Sequence, residues 1–125
     1  MARPKLLGIE YARLAAPVRD GWKALEKDGG PEEKRDAKAK LKSLATLEQR
    51  IKSNPLTAGD PVEHDRWPAS LAKDYGPVPN LTRFELAARW RGYYALIGQP
   101  GGVKAWILYL LDHETYSKMS GYDKK

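Results

Sequence analysis

The fold is decided by residues 77–111, PVPNLTRFELAARWRGYYALIGQPGGVKAWILYLL, where the spacing of the apolar residues changes from helical to extended. The run 81–87 alternates in the manner of a half-buried strand, and the aromatic-rich run 88–97 follows it. The run 103–111 is apolar at both parities, which is typical of a central strand that is covered on both faces. A Pro-Gly-Gly turn separates the last two runs. The stretch therefore predicts an antiparallel meander of three strands.

Two helices are predicted before this stretch. The first begins at Pro17, which suits the first turn of a helix, and ends before Gly29 and Gly30. The second begins at Pro31 and ends at about Ser53, because the next residue precedes a proline and is disfavoured in a helix. Apolar residues recur at helical spacing at Val18, Trp22, Leu25, Ala37, Leu41, Leu44, Leu47 and Ile51. We expect the two helices to form a hairpin whose apolar stripe packs on the sheet.

Shorter elements are predicted on either side of these. The segment 5–12 alternates as a short strand, 56–67 has the composition of a loop, and 68–75 is predicted to be a short helix. Residues 112–121 are predicted to form a C-terminal helix. The expected fold class is therefore α+β, with an N-terminal strand and a helical hairpin packed on a C-terminal antiparallel meander.

The length of 125 residues fits a single domain over residues 1–125. We expect residues 1–56 to be mainly the helical hairpin and residues 77–122 to hold the sheet and the candidate active region. The composition is not that of collagen, of low-complexity disorder or of an integral membrane protein. The absence of cysteine excludes disulfide bonds, thiolate metal ligands and cysteine nucleophiles.

The chain is basic, with 22 Lys and Arg residues against 16 Asp and Glu residues and a net charge of +6. A basic surface attracts polyanions such as nucleic acid, although many small proteins are basic without binding any. The N-terminal residues contain no apolar stretch of signal-peptide length, and no apolar run is long enough to span a membrane. We therefore expect a cytoplasmic protein with no membrane association, no metal site and no small-molecule cofactor.

The predicted sheet carries residues suited to binding nucleic acid. Arg83, Arg89 and Arg91 share one parity, and guanidinium groups bind phosphate bidentately. Tyr93 lies among these cations and offers a ring on which a base can stack, and Lys104 on the third strand adds another cation. In the competing interpretation the aromatic rings are core residues and the arginines are solvated.

Acid–base chemistry is suggested just after the last predicted strand, where His113 and Tyr116 are located. RNA cleavage needs a base for the 2′-hydroxyl, cations for the phosphorane charge and an acid for the departing 5′-oxygen. His113, Tyr116 and Arg91 have the side chains for these roles. In the competing interpretation His113 is a cap or a surface residue. His64 lies in a proline-rich loop and is interpreted as a structural or surface residue.

A resemblance to a known family spans about residues 56–122. The motifs that carry it are Gly59-Asp60-Pro61, Trp67-Pro68, Tyr75-Gly76, Asn80-Leu81-Thr82-Arg83-Phe84-Glu85-Leu86, Trp90-Arg91-Gly92-Tyr93-Tyr94, Asp112-His113-Glu114-Thr115-Tyr116 and Gly121-Tyr122. In this order and spacing they resemble the RelE/ParE superfamily of toxins from type II toxin–antitoxin systems. The resemblance implies a small α+β fold and a cognate antitoxin protein that wraps the toxin. It also implies a target, because RelE-type toxins cleave mRNA in the ribosomal A site and ParE-type toxins poison DNA gyrase.

The resemblance also implies roles for particular residues. Arg91 matches the arginine of the penultimate strand that contacts the scissile phosphate in the family. His113 and Tyr116 match the region after the last strand that supplies acid or base groups, and Arg83 matches a basic position on the preceding strand. The chain departs from the family pattern at Ala87-Ala88-Arg89, where Pro-Gly-Gly is usual, at Gly92, where an aliphatic residue is usual, and in lacking a lysine pair before the meander.

Three interpretations of function follow. The first is a toxin that acts as a ribosome-dependent mRNA endoribonuclease without a metal ion, with the ribosome, mRNA and an antitoxin as partners. The second is a binding protein, either a ParE-like gyrase inhibitor or a member of the fold that binds RNA or protein without catalysis. The third is an unrelated small α+β protein. A titratable pair beside Arg91 favours the first, whereas a locked Arg91–Glu85 ion pair and a buried His113 favour the second.

Overall fold

The computed structural model describes residues 4–120, which form an α+β fold around one mixed sheet. The strands are β1 (Leu6–Tyr11), β2 (Asp60–Pro61), β3 (Thr82–Glu85), β4 (Arg91–Gln99) and β5 (Gly102–Leu111). The helices are α1 (Ala16–Asp28), α2 (Pro31–Ser53), α3 (Leu71–Tyr75) and α4 (His113–Ser120). The sheet order is β1-β5-β4-β3-β2, with β1 parallel to β5 and the other neighbours antiparallel. The α+β class is confirmed, and the predicted three-strand meander is the centre of a five-stranded sheet.

The helical hairpin covers one face of the sheet. Gly30 lies between α1 and α2, and the carboxylate of Glu33 accepts its backbone N–H at 2.9 Å, which fixes the start of α2. The buried residues that join the hairpin to this face include Trp22, Leu44, Leu47, Ile51, Phe84, Tyr94, Ala105 and Ile107. The predicted packing of the stripe is confirmed except at Leu25, which lies in the last turn of α1 and is 39% exposed.

The opposite face of the sheet is covered by α3, α4 and the loops next to them. Leu71, Val78, Leu81, Tyr93, Leu108, Tyr109 and Tyr116 form this second core. Strand β5 therefore contributes Ile107 to one core and Leu108 and Tyr109 to the other, as its apolar residues at both parities predict. Tyr75 attaches α3 to β5, because its hydroxyl donates to the carbonyl of Leu108 at 2.6 Å.

The strand boundaries around the first hairpin of the meander differ from the prediction. The predicted strands 81–87 and 88–97 meet in a turn, in which Ala88 and Arg89 have φ angles of 58° and 64°. The N–H of Trp90 donates to the carbonyl of Ala87 at 3.2 Å and closes this turn. Strand β4 therefore begins only at Arg91. The sequence contains no glycine or asparagine here to signal a left-handed turn.

The predicted loop 56–67 contains the short edge strand β2. Its two residues pair with Arg83 and Thr82 of β3, and Gly59 lies so close that an added Cβ atom would be 2.3 Å from the carbonyl oxygen of Arg83. Two residues are too few for an alternating pattern, so the sequence carried no signal for this strand. The predicted end of the C-terminal helix, residue 121, lies outside the described residues.

The N-terminal strand and the short helix before the meander agree with the prediction. The N-terminal strand is present as β1, and α3 occupies the second half of the predicted helix 68–75. Gly92 lies under the ring of Phe84, and a Cβ atom there would be 2.4 Å from the Phe84 Cζ atom. Over residues 4–120 no helix combines the length and apolarity that crossing a bilayer requires.

Candidate functional site

The sheet brings the two arginines of the candidate site onto one face. In the register of β3 and β4, Arg83 lies opposite Tyr93 and Glu85 lies opposite Arg91. Residues that face each other across an antiparallel pair project to the same side of the sheet. Arg83, Tyr93 and Arg91 therefore lie on the face opposite the helical hairpin, at the end where β3 stops and β4 begins.

Helix α4 carries the acid–base candidates to the same end of the sheet. It follows β5 directly, and the Asp112 Oδ1 atom accepts the backbone N–H of Thr115 at 2.7 Å, as an N-cap residue does. This backbone hydrogen bond holds the pKa of the Asp112 carboxyl below its ordinary value. The cap sets the first turn of α4, from which His113 and Tyr116 reach toward Arg91.

Arg91 and His113 are in direct contact. The Arg91 Nη1 atom lies 3.1 Å from the His113 Nδ1 atom. Because a guanidinium group only donates hydrogen bonds, Nδ1 must be the acceptor, and the neutral ring then carries its proton on Nε2. His113 is half-buried, and the Arg91 side chain is 23% exposed, so both groups remain open to solvent. The Glu85 carboxylate is 3.8 Å from Arg91 Nε, a distance typical of a loose ion pair.

Arg83 is the second cation of the cluster. Its Nη2 atom is 2.9 Å from the Asp60 carboxylate, and its Nη1 atom donates a longer hydrogen bond of 3.4 Å to the Tyr116 hydroxyl. These contacts with Tyr116 and Asp60 raise the pKa of Arg83 above its ordinary value, so it is charged at every physiological pH. The Nε atom of Arg83 is buried and has no hydrogen-bond partner among the described residues.

Tyr116 lies between the two arginines. Its ring stacks on that of Tyr93 with centroids 5.8 Å apart, and the guanidinium of Arg91 lies 5.3 Å from the centre of the Tyr116 ring. Tyr116 is 3% exposed, so α4 buries the ring while its hydroxyl faces Arg83. Arg83, Arg91, Tyr93, His113 and Tyr116 thus form one cluster, which we call the arginine–histidine site.

Two open clefts adjoin this site, and Arg83 and Asp60 line both of them. The first, of about 490 Å³, lies between α2 and β3 and is bordered by Ser43, Thr46 and Arg50. The second, of about 560 Å³, lies beside α4 and is bordered by Arg66, Tyr93 and Tyr116. Each is large enough for a small polar ligand.

The left-handed turn before Arg91 is held by the helical hairpin. The Ser43 hydroxyl accepts the N–H of Ala87 at 3.0 Å. The Trp90 ring meets Trp22 edge-on at 5.0 Å and lies 4.8 Å from the Lys40 ammonium group. Non-glycine residues with positive φ are costly, and they concentrate at functional sites. This anchored, strained turn leads directly into Arg91.

The remaining predicted residues lie outside the cluster. Arg89 is exposed in the turn rather than on a strand, two residues before Arg91. Lys104 lies opposite Ile97 at the far end of β4 and β5, and its ammonium group is 3.2 Å from the Glu10 carboxylate. The structure therefore does not bring Lys104 to the arginine–histidine site. His64 is exposed, with its ring 4.5 Å from that of Trp67.

Sequence reasoning missed the roles of two acidic neighbours of the site, Asp60 and Asp112. Asp60 pairs with Arg83 from a strand that was too short to detect, and Asp112 caps α4. An Arg91–Glu85 ion pair was considered from the sequence, and the structure sets these two residues opposite each other with their charged groups 3.8 Å apart. Among residues 4–120, no group of three or more His, Asp or Glu side chains could hold a metal ion.

Comparisons with protein-family models, with curated proteins and with solved structures found no match. Function is therefore inferred from the chemistry of the arginine–histidine site together with the sequence resemblance given above.

Proposed function

We propose that the chain is the toxin of a type II toxin–antitoxin pair and that it cleaves mRNA on the ribosome at the arginine–histidine site. The observation that carries this proposal is the 3.1 Å contact between Arg91 and His113, with Arg83 and Tyr116 beside it. Two fixed cations beside a titratable ring are what cleavage of RNA at its own 2′-hydroxyl requires.

The chemistry follows from what each group can donate or accept. A substrate phosphate that binds Arg91 takes the N–H now donated to His113, and this frees the Nδ1 lone pair to remove the 2′-hydroxyl proton. The 2′-oxygen then bonds to phosphorus and the bond to the 5′-oxygen breaks. A protonated group, for which Tyr116 is the candidate, gives the departing 5′-oxygen its proton. The products are a 2′,3′-cyclic phosphate and a 5′-hydroxyl end, and Arg83 and Arg91 stabilise the charge that develops on the phosphorane.

The order of elements supports the same proposal. The resemblance implies an N-terminal strand, then a helical hairpin, then an antiparallel sheet. The chain has β1, the α1–α2 hairpin and the antiparallel strands β3, β4 and β5 in this order, with β2 and α3 between the hairpin and β3. We therefore assign the fold a RelE-like arrangement as part of the proposal.

An antitoxin is the second partner in the proposal. Toxins of this kind are held by an extended or helical peptide, which needs an apolar surface. Leu14 and Leu25, next to and on α1, are 36% and 39% exposed. We propose that an antitoxin segment docks around the hairpin and covers them.

A second candidate function is non-catalytic inhibition, either of DNA gyrase or by RNA or protein binding alone. The observation that favours it is the engagement of Arg91 by Glu85 at 3.8 Å together with the burial of Tyr116. The exposure of Arg91 and His113 favours the nuclease, because both can reach a substrate without rearrangement of the sheet.

The two candidates predict different behaviour of two variants. Induced expression of the chain alone should arrest growth, and primer extension should map mRNA cuts to the ribosomal A site. Arg91→Ala and His113→Ala should each lower cleavage by about 100-fold or more, as the loss of a transition-state contact does. The control is Lys73→Ala, which removes an exposed cation of α3 and should change nothing. If folded Arg91→Ala and His113→Ala proteins still cut mRNA at the A site, the arginine–histidine site is not the catalytic site. If the chain arrests growth and no mRNA is cut, the nuclease assignment is wrong and the binding function stands.

A further inference from the structure

Helix α2 has a second feature that the arginine–histidine site does not use, a row of cations on its solvent side. Residues three or four positions apart share one face of a helix, and Lys34, Lys38 and Lys42 follow one another at this spacing. Arg35 lies beside them, and Lys52 continues the row after Ala45 and Gln49. All of these residues are exposed. We call this surface the α2 outer face.

The acidic residues of α2 leave this face uncompensated. Glu33 caps the helix at Gly30, Asp36 pairs with Lys40 at 2.7 Å, and Glu48 accepts the hydroxyl of Tyr11. Each of these three acids is thus engaged in a contact within the fold. The fourth acid of α2, Glu32, is exposed in the first turn and forms no ion pair with any of residues 4–120. By contrast, the cations Lys34, Arg35, Lys38, Lys42 and Lys52 form no ion pair with any of residues 4–120.

The shape of the surface indicates which polyanion fits it. Lys34 and Lys52 are about 27 Å apart along a straight helix axis, which spans several successive phosphates of a nucleic-acid strand. The positions between the cations are held by Ala45 and Gln49 and present no large apolar side chain. Insertion into a lipid surface requires such side chains, so the α2 outer face is poorly suited to a membrane.

We propose that the α2 outer face docks on the phosphate backbone of double-helical RNA, independently of sequence. The choice of RNA over DNA rests on the proposed nuclease function. This face lies on the hairpin, whereas the arginine–histidine site lies on the opposite side of the sheet. The chain can therefore hold a folded RNA with one side while the other side meets a single strand.

The test measures binding rather than cleavage. The probe is a blunt RNA duplex of about 20 base pairs, and its binding is measured by fluorescence anisotropy between 50 and 300 mM salt. The salt slope is the change in the logarithm of the binding constant with the logarithm of the salt concentration. Each phosphate contact contributes roughly one unit to this slope. The test variant is Lys34→Gln, Lys38→Gln and Lys42→Gln combined. The matched control is Lys5→Gln, Lys73→Gln and Lys118→Gln combined, which makes the same change in net charge elsewhere on the surface.

We expect the test variant to bind the duplex about tenfold or more weakly at 100 mM salt and to lower the salt slope by about 2–3. The control variant should change both quantities much less. Equal losses in the two variants would overturn the proposal, since binding would then depend on net charge alone. Tighter binding to a DNA duplex, to polyglutamate or to vesicles that contain phosphatidylserine would overturn it in favour of that partner.

The same experiment separates this inference from the proposed function. Arg91→Ala removes the candidate phosphate contact of the arginine–histidine site and should leave duplex binding unchanged. Loss of cleavage with intact duplex binding supports both proposals. Loss of duplex binding in the test variant, with Arg91→Ala still fully active in cleavage, would support the α2 outer face and refute the nuclease site. Unfolding in urea confirms that each variant is folded, and Lys→Gln is nearly neutral in a helix.

Discussion

The turn that leads into Arg91 makes a prediction of unusual sign, since replacing Ala88 by glycine should stabilise the protein. Ala88 has φ 58° and ψ 34°, in the left-handed region. An L-residue in this region destabilises the folded state by roughly 1–2 kcal/mol, and glycine avoids that cost. Glycine in turn lowers stability by roughly 0.5–1 kcal/mol, because it increases the conformational entropy of the unfolded chain. The free energy of unfolding should therefore rise by about 0.5–1 kcal/mol.

The assay is urea unfolding followed by tryptophan fluorescence, because Trp22 and Trp90 lie in contact in the folded state. The matched control is Ala45→Gly, the same chemical change at an exposed position in the middle of α2. It should lower the free energy of unfolding by about 1 kcal/mol. If Ala88→Gly destabilises the protein as Ala45→Gly does, the turn is not left-handed and its strain cannot be part of how Arg91 is presented.

Two further predictions concern the same end of the sheet. Gly92→Ala should cost about 3 kcal/mol or more of stability in urea unfolding, because the new Cβ atom would lie 2.1 Å from the carbonyl oxygen of Tyr109; an unchanged midpoint would contradict this packing. The Asp112 cap should make stability depend on pH: its pKa is lowered by the N–H of Thr115, so its contribution is present above the ordinary value of about 3.9 and is lost as pH falls through the lower folded value. Asp112→Ala should therefore lower the free energy of unfolding at pH 7. It should also reduce the amount by which that free energy falls between pH 7 and pH 3. If the variant and the unsubstituted protein lose equal stability over this pH range, the cap is refuted.

Much of the fold could be predicted because its longest elements carry a clear apolar pattern within their own sequence. The apolar stripe of α2 from Ala37 to Ile51 is typical of a packed helix, and the two-faced apolar run of β5 is typical of a central strand. Strand β2 has no such pattern, since it has only two residues, and the close approach of Gly59 to β3 beside it leaves no room for a Cβ atom. The left-handed turn at Ala88 is likewise imposed by its neighbours, Ser43 and Trp90, against the local preference of alanine.

The candidate site shows the same division. Alternation assigns a residue to a face of a strand, so Arg83 and Arg91 could be placed on one face from the sequence. Alternation does not say at which end of the sheet a residue lies. For this reason the sequence could not show that Lys104, whose residue type fits the site, lies far from the cluster. The Arg91–His113 contact depends on how α4 folds back over β4, which the cap at Asp112 sets and no periodicity reveals.

The most direct measurement is the chemistry of the RNA ends and its dependence on one hydroxyl. Ribosomes are loaded with an mRNA whose A-site codon carries either ribose or 2′-deoxyribose at the nucleotide before the cut, and the purified chain is added. If Arg91 and His113 form a site for attack by the 2′-hydroxyl, the ribose message should be cut to a 2′,3′-cyclic phosphate and a 5′-hydroxyl, and the deoxy message should stay intact. Cleavage of the deoxy message would contradict the assignment of this site. So would a ribose message that stays intact in the presence of folded protein.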